Sequence, residues 1–215
     1  MESIIIPARN EALGLPLVLK NLRTTWNGEV IVVDNGSTDA TYRVAKGGGA
    51  RVLFLETPGK GRSMRFAAKQ ARGDILVFVD GDNTYPVDLA SHLVSIIREN
   101  SCDCVFGSRF LPGAEREMSL KRQAGNYLLN RLSLWKVRHQ RTDILSGFFA
   151  IRKDVFQELG LVSNGFEIEA EIFLKLEKMG KCTMEIPVPY RGRSNSQLRP
   201  WIDGLKITYT LIRGV

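Results

Sequence analysis

The stretch that decides the fold is ILVFVDGDNTYP, residues 75–86. Its first five residues, Ile75 to Val79, are all apolar, which is typical of a strand buried on both faces of a sheet. Asp80 and Asp82 come directly after them, so we expect both carboxylates where the strand leaves the sheet, the edge at which open α/β sheets bind ligands. Two carboxylates at this spacing predict a Mg2+ or Mn2+ site, because these ions prefer oxygen ligands and commonly bring phosphates with them.

Outside this stretch, apolar strand patterns alternate with helical ones. In the first half we predict strands at residues 2–6, 29–33, 51–55 and 75–79, and helices at 11–25, 37–47 and 60–72. In the second half we predict helices at 87–100, 119–137 and 167–179, strands at 104–107, 148–151 and 182–186, and a polar loop at 190–200. This order predicts an α/β fold with a doubly wound, mostly parallel sheet flanked by helices, similar to a Rossmann fold.

The length of 215 residues suits a single domain, residues 1–215. Within it we distinguish a nucleotide-binding half, residues 1–100, and an acceptor half, residues 101–200. In residues 201–215 the apolar side chains recur at helical spacing with polar residues between them. We therefore expect an amphipathic C-terminal helix there.

The chain is basic, with a formal net charge of +7 and a pI of about 9.5. This excess favours an anionic partner, such as nucleic acid, a nucleotide or an anionic membrane face, although a soluble basic surface explains it equally well. The three cysteines make no disulfide framework and no zinc motif, and neither a signal peptide nor a membrane span is evident. We therefore expect a cytoplasmic protein, which meets any lipid substrate at the membrane surface or through a membrane partner.

Acidic and basic residues gather at the predicted carboxyl ends of the strands. Asp34 comes after the second strand, where it either accepts hydrogen bonds from a base or ribose or caps the next helix. Lys60 and Arg62 begin a helix near the same edge, and the helix N-terminus favours nucleotide phosphates there. Arginines of the acceptor half suit an anionic acceptor, because a guanidinium donates two hydrogen bonds to one phosphate. His92 and His139 occur in no nucleophile motif, and we interpret both as structural or surface residues.

Six motifs, in order along almost the whole chain, resemble those of family 2 glycosyltransferases of the GT-A fold: IIIPARNEA, VVDNGSTDAT, GKGRSMRFAA, ILVFVDGDN, GSRF and SGFFAIRKDVF. Within that family the chain is most similar to dolichyl- and polyprenyl-phosphate hexose synthases. The resemblance implies a GT-A fold, a nucleotide-sugar donor, a polyprenyl or dolichyl phosphate acceptor and a Mg2+ or Mn2+ cofactor. Thr84 stands where mannosyl members often have a glutamine in the metal shell, which argues against a strict mannosyl assignment.

The resemblance also implies roles for individual residues. Asp80 and Asp82 correspond to the metal-binding pair, Arg109 to an arginine that meets the acceptor phosphate, and Asp143 to an acid before the SGF turn. Asp82, Arg109 and Asp143 are therefore our candidate catalytic residues. The other matching positions imply substrate contacts: Pro7, Arg9, Glu11 and Asp34 around the nucleoside, Arg122 as a second acceptor arginine, and Arg193 and Ser196 in the loop that closes over the donor.

These roles predict an inverting hexosyltransferase that uses a donor of the GDP-mannose or UDP-glucose type at the membrane surface. The ionised oxygen of a lipid phosphate would attack the anomeric carbon on the face opposite the leaving group and would need no strong general base. The metal would stabilise the charge that builds on the departing nucleoside diphosphate. We expect no nucleic-acid partner.

Four other interpretations compete with this one. A glycosyltransferase with a soluble glycan or small-molecule acceptor would need a base near Asp143 or Glu169. DGDNT also fits the nucleophile loop of Mg2+-dependent DxDxT phosphatases, although three βα units precede it here. A sugar nucleotidyltransferase would have a glycine-rich N-terminal loop, which this sequence lacks. A non-catalytic binding module is the remaining alternative.

Overall fold

Strand β1 (Glu2–Ala8) lies inside the main sheet, with a neighbouring strand on each side. The computed structural model describes residues 1–134, 141–192 and 199–214 of the chain. Ile4, Ile5 and Ile6 of β1 are completely buried, so both faces of the strand are covered. A continuous apolar run is what such a doubly covered strand requires.

Strands and helices alternate along the described residues. The other strands are β2 (Glu29–Asp34), β3 (Arg51–Phe54), β4 (Ile75–Phe78), β5 (Cys104–Ser108), β6 (Arg116–Glu117), β7 (Phe149–Arg152), β8 (Thr183–Pro187) and β9 (Tyr190–Arg191). The helices are α1 (Leu15–Thr25), α2 (Thr41–Gly47), α3 (Lys60–Gln70), α4 (Ala90–Glu99), α5 (Leu120–Ser133), α6 (Lys153–Glu158), α7 (Ile168–Lys178) and α8 (Pro200–Arg213), with a 3-10 turn at Val87–Leu89.

Seven strands form one sheet in the order β3-β2-β1-β4-β7-β5-β8. β1 pairs in parallel with β2 on one side and with β4 on the other. The chain therefore builds from β1 through β2 to β3 and then crosses over to β4, so the order of the strands reverses beside β1. The carboxyl ends of β1 and β4 flank this switch point, where open α/β sheets bind their ligands.

Strand β7 runs antiparallel to both of its neighbours, β4 and β5. Phe78 of β4 is paired with Phe149 of β7, so the residues that precede β7 lie beside those that come after β4. The reversed strand therefore returns the SGF motif, residues 146–148, to the edge of the sheet that carries Asp80.

Helices cover both faces of the sheet. α1, α2 and α4 pack on one face in a cluster that includes Leu15 and Leu93. α3, α6 and α7 pack on the other face in a cluster that includes Met64, Phe156 and Ile172. A third apolar cluster lies around α7 and α8, and α8 also contacts α5. Both halves of the chain contribute strands to the one sheet.

The predicted elements are present, with boundaries that differ by a few residues. α1 begins at Leu15 rather than at residue 11, and the segment predicted as one helix over 87–100 divides into the 3-10 turn and α4. Helix α6 was not predicted, nor were β6 and β9, which pair in a separate two-stranded sheet. The predicted helix 119–137 ends at Ser133, and residues 135–140 lie outside the described residues. None of the helices in the described part of the chain has the length and apolar character that crossing a bilayer requires.

Candidate active site

A cavity of about 590 Å3 opens at the carboxyl ends of β1 and β4. Its walls come from the turns after these strands, from the start of α3, and from α7 and α8. These segments are distant in sequence and meet because the strand order brings their ends together. The charged residues of the lining are Arg9, Lys60, Arg109, Arg199 and Lys206 on the basic side and Glu11, Asp80, Asp82, Glu169 and Asp203 on the acidic side.

The two aspartates after β4 belong to one turn that lies against β1. A β-carbon at Gly81, between them, would lie 3.3 Å from Ile6 and 3.4 Å from Ala8, so the turn packs closely on that strand. Oδ1 of Asp82 accepts hydrogen bonds from the backbone nitrogen and the hydroxyl of Thr84, at 3.1 and 2.6 Å. These bonds orient one of the two carboxylates toward the cavity edge and satisfy one of its oxygens.

Lys60, the first residue of α3, bridges Asp80 and Glu169. Its Nζ lies 2.5 Å from Oδ1 of Asp80, 2.6 Å from Oε1 of Glu169 and 5.5 Å from the ring centre of Phe166. Burial alone lowers the pKa of Lys60, but the charges of Asp80 and Glu169 outweigh it and hold that pKa well above its ordinary value. Burial raises the pKa of Glu169, and Lys60 only partly opposes this. Lys60 is therefore cationic at the edge of the candidate metal site.

Gly147 of the SGF motif packs directly against the Lys60–Asp80 pair. A β-carbon at this position would collide with Oδ2 of Asp80 and would lie 3.0 Å from Nζ of Lys60. The backbone nitrogen of Gly147 donates a hydrogen bond to the hydroxyl of Tyr85 at 3.0 Å. The motif therefore restricts the position of the Asp80 carboxylate as well as making a turn.

The turn after β1 is tied to the segment after β2. Asn10, with φ of 53°, accepts a hydrogen bond at Oδ1 from the backbone nitrogen of Thr38 at 2.8 Å, and its own backbone nitrogen donates to Oγ of Ser37 at 3.1 Å. Oδ1 of Asn35 accepts a hydrogen bond from the backbone nitrogen of Gly59 at 3.0 Å, which links the same region to the start of α3. Three predicted nucleoside-binding residues line the cavity beside this turn: Pro7, Arg9 and Glu11.

Asp34, the fourth predicted nucleoside-binding residue, lies outside the cavity lining. It is the last residue of β2, is 2% exposed, and is paired with Ala8 and Phe54 in the sheet. Its Oδ1 accepts a hydrogen bond from the backbone nitrogen of Ser37 at 3.1 Å. This bond lies within the turn and does not cap the next helix, because α2 begins only at Thr41 and has no side-chain cap. The next residue, Asn35, lines the cavity instead.

Arg109 and Asp143 form an ion pair in which the arginine reaches the cavity and the aspartate lies behind it. Nε and Nη2 of Arg109 each lie 2.7 Å from a carboxylate oxygen of Asp143, whose side chain is completely buried. The guanidinium carbon lies 6.0 Å from the ring centre of Tyr85 and 5.3 Å from that of Tyr190. Burial alone lowers the pKa of Arg109, but the charge of Asp143 outweighs it and raises that pKa well above its ordinary value. Of these two predicted catalytic residues, Arg109 can touch a substrate and Asp143 positions it.

Two further predicted substrate contacts lie away from the cavity. Arg62 on α3 and Arg122 on α5 lie outside its lining. The backbone nitrogen of Arg62 donates to the carbonyl of Asn164 at 3.3 Å, and the preceding residue donates to Gly165 at 3.2 Å. The start of α3 therefore gives these N–H groups to protein carbonyls, which argues against the predicted use of this helix end for phosphate. The predicted donor-loop residues, Arg193 and Ser196, lie outside the described residues.

Sequence reasoning did not single out Asp203, Lys206, Phe166 or Tyr190, and all four line the cavity. Asp203 and Lys206 are three residues apart on one side of α8, and Arg199 immediately precedes this helix, so all three reach the site together. The sequence predicts an amphipathic helix here, but its spacing does not show that these residues face the cavity. No local pattern marks Phe166 or Tyr190, because their positions depend on contacts distant in sequence.

Known protein sequences are similar to this one over most of its length. The model of the family described as Glycosyl transferase family 2 matches residues 3–160. Glycosyltransferase AglJ of Haloferax volcanii is 32% identical over 98% of this chain and 70% of its own length. Dolichol-phosphate mannosyltransferase of Pyrococcus furiosus is 31% identical over 92% of this chain, which spans 59% of that protein. Dolichyl-phosphate hexose transferase of H. volcanii is 28% identical over 98% and 92% of the two chains.

The fold is also shared with solved structures. Glucosyl-3-phosphoglycerate synthase from Mycobacterium tuberculosis, in complex with Mn2+, uridine diphosphate and phosphoglyceric acid, superposes with a TM-score of 0.78. The match covers 99% of this chain and 76% of the synthase, at 23% sequence identity. Similarity at this level establishes the common fold.

Proposed function

The chain belongs to glycosyl transferase family 2, has the GT-A fold and is a glycosyltransferase, and we propose that it transfers a hexose from a nucleoside-diphosphate sugar to a polyprenyl or dolichyl phosphate. The family, fold class and enzyme class expected from the motifs are thereby confirmed. The phosphatase, nucleotidyltransferase and non-catalytic interpretations are set aside. Our proposal concerns the identity of the donor and the acceptor, the bound metal, and the contact with a membrane.

The observation that carries the proposal is the position of Asp80 and Asp82 at the switch point of the sheet, in a cavity that also contains five basic side chains. A carboxylate pair alone would repel the diphosphate of a nucleotide sugar. A divalent cation on the pair, together with Arg9 and Lys60, would offset that repulsion. The cavity of about 590 Å3 is within the usual range for small-molecule sites, so it can enclose much of a nucleotide sugar.

The residues present fit Mg2+ or Mn2+. Asp80 and Asp82 supply carboxylate oxygens, the ligand type that both ions prefer. Because residue 147 is a glycine, no side chain from this position crowds Oδ2 of Asp80. No three histidine, cysteine or acidic side chains in the described ranges group into a metal cluster, so the donor phosphates and water would complete the coordination. When bound, the cation would neutralise charge on the departing nucleoside diphosphate. The mycobacterial synthase of the same fold was solved with Mn2+ and uridine diphosphate, which supports a divalent cation without distinguishing the two.

Arg109 is our candidate for the contact with the acceptor phosphate. Asp143 occupies Nε and Nη2 of Arg109, and Nη1 takes no part in these bonds. The guanidinium can therefore donate to a phosphate in the cavity while Asp143 fixes its plane. Held in this way, an ionised phosphate oxygen would attack the anomeric carbon on the face opposite the diphosphate, and we propose that the product has the inverted configuration.

The exposed face of α8 supports an acceptor at the membrane surface. Trp201 is 86% exposed and Leu205 is 70% exposed, and three further apolar side chains of this helix are exposed: Ile202, Tyr209 and Ile212. Exposed Leu120, Tyr127 and Leu128 lie on the neighbouring helix α5. An amphipathic helix with aromatic and basic residues is suited to lie in the headgroup region of a bilayer. We propose that the protein associates peripherally with the cytoplasmic membrane face, with the opposite side of α8 in the active-site cavity.

The second candidate is transfer to a soluble phosphorylated acceptor. The mycobacterial synthase was solved in complex with phosphoglyceric acid, and the basic residues of the present cavity suit any phosphate. A hydroxyl nucleophile would need a base, and Glu169 lines the cavity whereas Asp143 does not. The exposed apolar face of α8 favours the lipid acceptor over this alternative.

A donor screen followed by product analysis tests the proposal. UDP-glucose, GDP-mannose and UDP-N-acetylglucosamine are tested for stabilisation of the protein against heat, each with Mn2+ and with Mg2+. The stabilising donor is then incubated with polyprenyl phosphate in vesicles or with 3-phosphoglycerate. We expect one donor to raise the Tm and the hexose to appear on the lipid phosphate with the inverted anomer. Absence of any stabilising donor, or transfer only to the soluble acid, would contradict the proposal.

A further inference from the structure

The ammonium group of Lys60 occupies a position that a cation on Asp80 would also use. Nζ contacts Oδ1 of Asp80 and Oε1 of Glu169 at 2.5 and 2.6 Å, and the side chain is only 10% exposed. Gly147 packs against this pair and leaves room for Oδ2 of Asp80, because any side chain there would collide with that oxygen. Lys60 thus neutralises one of the two proposed metal ligands within the protein itself.

A divalent cation and Lys60 compete for Asp80. At the separations set by a shared carboxylate, two cations repel each other strongly unless further negative charge is present. A nucleoside diphosphate supplies that charge. It also offers oxygen acceptors to an ammonium group that leaves Asp80, and Lys60 has the flexible stem that such a movement requires.

The surroundings of Lys60 favour a phosphate contact by its ammonium group over one by the backbone N–H groups at the start of α3. The N–H groups of the next two residues of α3 already bond to the carbonyls of Asn164 and Gly165. Gly59, immediately before Lys60, has φ of 159°, and Lys60 lines the same cavity as Asp82. The ammonium group of Lys60 can therefore meet a phosphate where these two N–H groups cannot.

We propose that Lys60 is the resident counter-cation of Asp80 and gives up that carboxylate to the divalent cation only when a nucleoside diphosphate is bound. Lys60 then contacts the diphosphate. This inference rests on the proposed function, because it assumes that Asp80 and Asp82 hold the metal. Its consequence is a strong positive coupling: nucleotide tightens metal binding, and by linkage the metal tightens nucleotide binding to the same degree.

Binding measurements of Mn2+ with and without UDP or GDP test the inference, with free Mn2+ monitored by electron paramagnetic resonance. In the wild type we expect nucleotide to lower the Kd for Mn2+ by about 30-fold or more, within the usual range for coupled sites. In Lys60→Met the Kd for Mn2+ alone should fall about 10-fold, since the competing charge is removed. The nucleotide effect should shrink about 10-fold relative to the wild type, and the part that remains reflects the phosphates that would complete the coordination of the metal. Lys60→Arg keeps a cation and should retain a larger nucleotide effect than Lys60→Met.

The matched control is Lys69→Met, which removes an exposed lysine from the same helix and should behave as the wild type. If Lys60→Met does not fold, Lys60→Gln replaces it in the same measurements. Unchanged Mn2+ affinity and unchanged coupling in the Lys60 variants would overturn the inference while leaving the metal site intact. Failure of the wild type to bind Mn2+ with either nucleotide would instead overturn the proposed function, and this inference with it.

Discussion

Arg109 and Asp143 are joined by two parallel contacts of 2.7 Å, Nε to Oδ2 and Nη2 to Oδ1, with the Asp143 side chain completely buried. The backbone nitrogen of Arg109 also donates to Oδ2 of Asp143, at 3.0 Å. The pair connects the end of β5 to the segment before β7 and holds the guanidinium on the cavity wall. It therefore has a structural role and, in our account, a role in binding the acceptor.

We predict that breaking this pair from one side costs stability as well as activity. Arg109→Met leaves a buried, uncompensated carboxylate and should lower the free energy of unfolding by about 3–5 kcal/mol. Asp143→Leu should have a similar cost because it leaves the cation unpaired. The double variant should recover much of the loss, since two apolar side chains leave no buried charge. Urea denaturation of the four proteins measures this, and additive losses in the double variant would contradict the prediction.

We predict that Gly147→Ala weakens metal binding without unfolding the protein. The added methyl group displaces the carboxylate of Asp80, so the Kd for Mn2+ in the presence of nucleotide should rise about 10-fold or more, corresponding to one lost charge-assisted contact. The matched control is Gly125→Ala in helix α5, where a β-carbon meets nothing within 4 Å. That change should leave Mn2+ affinity unaltered and should stabilise the helix by about 0.5–1 kcal/mol. Equal Mn2+ affinity in the two variants would refute this role for Gly147.

We predict that Glu171 supports stability at neutral pH and loses this effect in acid. Its carboxylate is 1% exposed, accepts bonds from the backbone nitrogens of Val162 and Ser163, and lies 2.9 Å from Nζ of Lys175. Burial raises the pKa of Glu171, but the bonds from Ser163 and Lys175 outweigh it, so the pKa lies below the 4.5 of a free glutamate. A lowered pKa in the folded state stabilises the protein above the unfolded value, and the contribution disappears as the pH falls through the folded value.

Glu171→Gln should therefore lower the free energy of unfolding by about 1–3 kcal/mol at pH 7, and the difference should shrink at about pH 3.5. Urea unfolding at both pH values measures it. Glu158→Gln is the control, because Glu158 is 53% exposed and pairs with Lys181 at the surface, where a loss of at most about 1 kcal/mol is expected. A pH-independent cost for Glu171→Gln would rule out the titration of this carboxylate as the cause.

We predict that α8 is required for membrane binding. Replacing Trp201 and Leu205 with serine removes two exposed apolar side chains and should weaken binding to anionic phospholipid vesicles at least about 10-fold, since each buried side chain contributes about 1.5–3 kcal/mol. Leu13→Ser is the control, because Leu13 is 93% exposed in the loop before α1. Vesicle sedimentation measures the binding. If the serine variant and the control sediment alike, α8 is not the membrane contact.

Local sequence patterns were sufficient to predict the strands of the main sheet and the position of the acidic pair at its edge. The run before Asp80 is apolar at every position, a pattern that predicts a buried strand and so places the two aspartates at its end. The ends of the strands were predicted less accurately than their positions in the chain. β2 extends one residue beyond the predicted strand, so Asp34 stays within the sheet and Asn35 turns into the cavity. Because side chains alternate across a strand, one residue decides which of the two can meet a ligand.

The charge network of the cavity could not be predicted in this way. Lys60 and Glu169 are 109 residues apart, and their contact depends on how α3 and α7 pack on the same face of the sheet. The antiparallel direction of β7 likewise has no local signature, although it returns Gly147 to Asp80. The same is true of α8: its spacing revealed an amphipathic helix but not that Lys206 faces the cavity.

The central claim is that a cation on Asp80 and Asp82 allows the hexose to leave its nucleoside diphosphate. The most direct measurement is the rate of hexose transfer to polyprenyl phosphate by the wild type and by Asp82→Asn, with donor and Mn2+ at saturating concentration. The account predicts that the variant folds, still binds to vesicles and loses transfer by at least about 100-fold, the usual cost of losing a charge-stabilising group in a transition state. Transfer by Asp82→Asn at the rate of the wild type would contradict it.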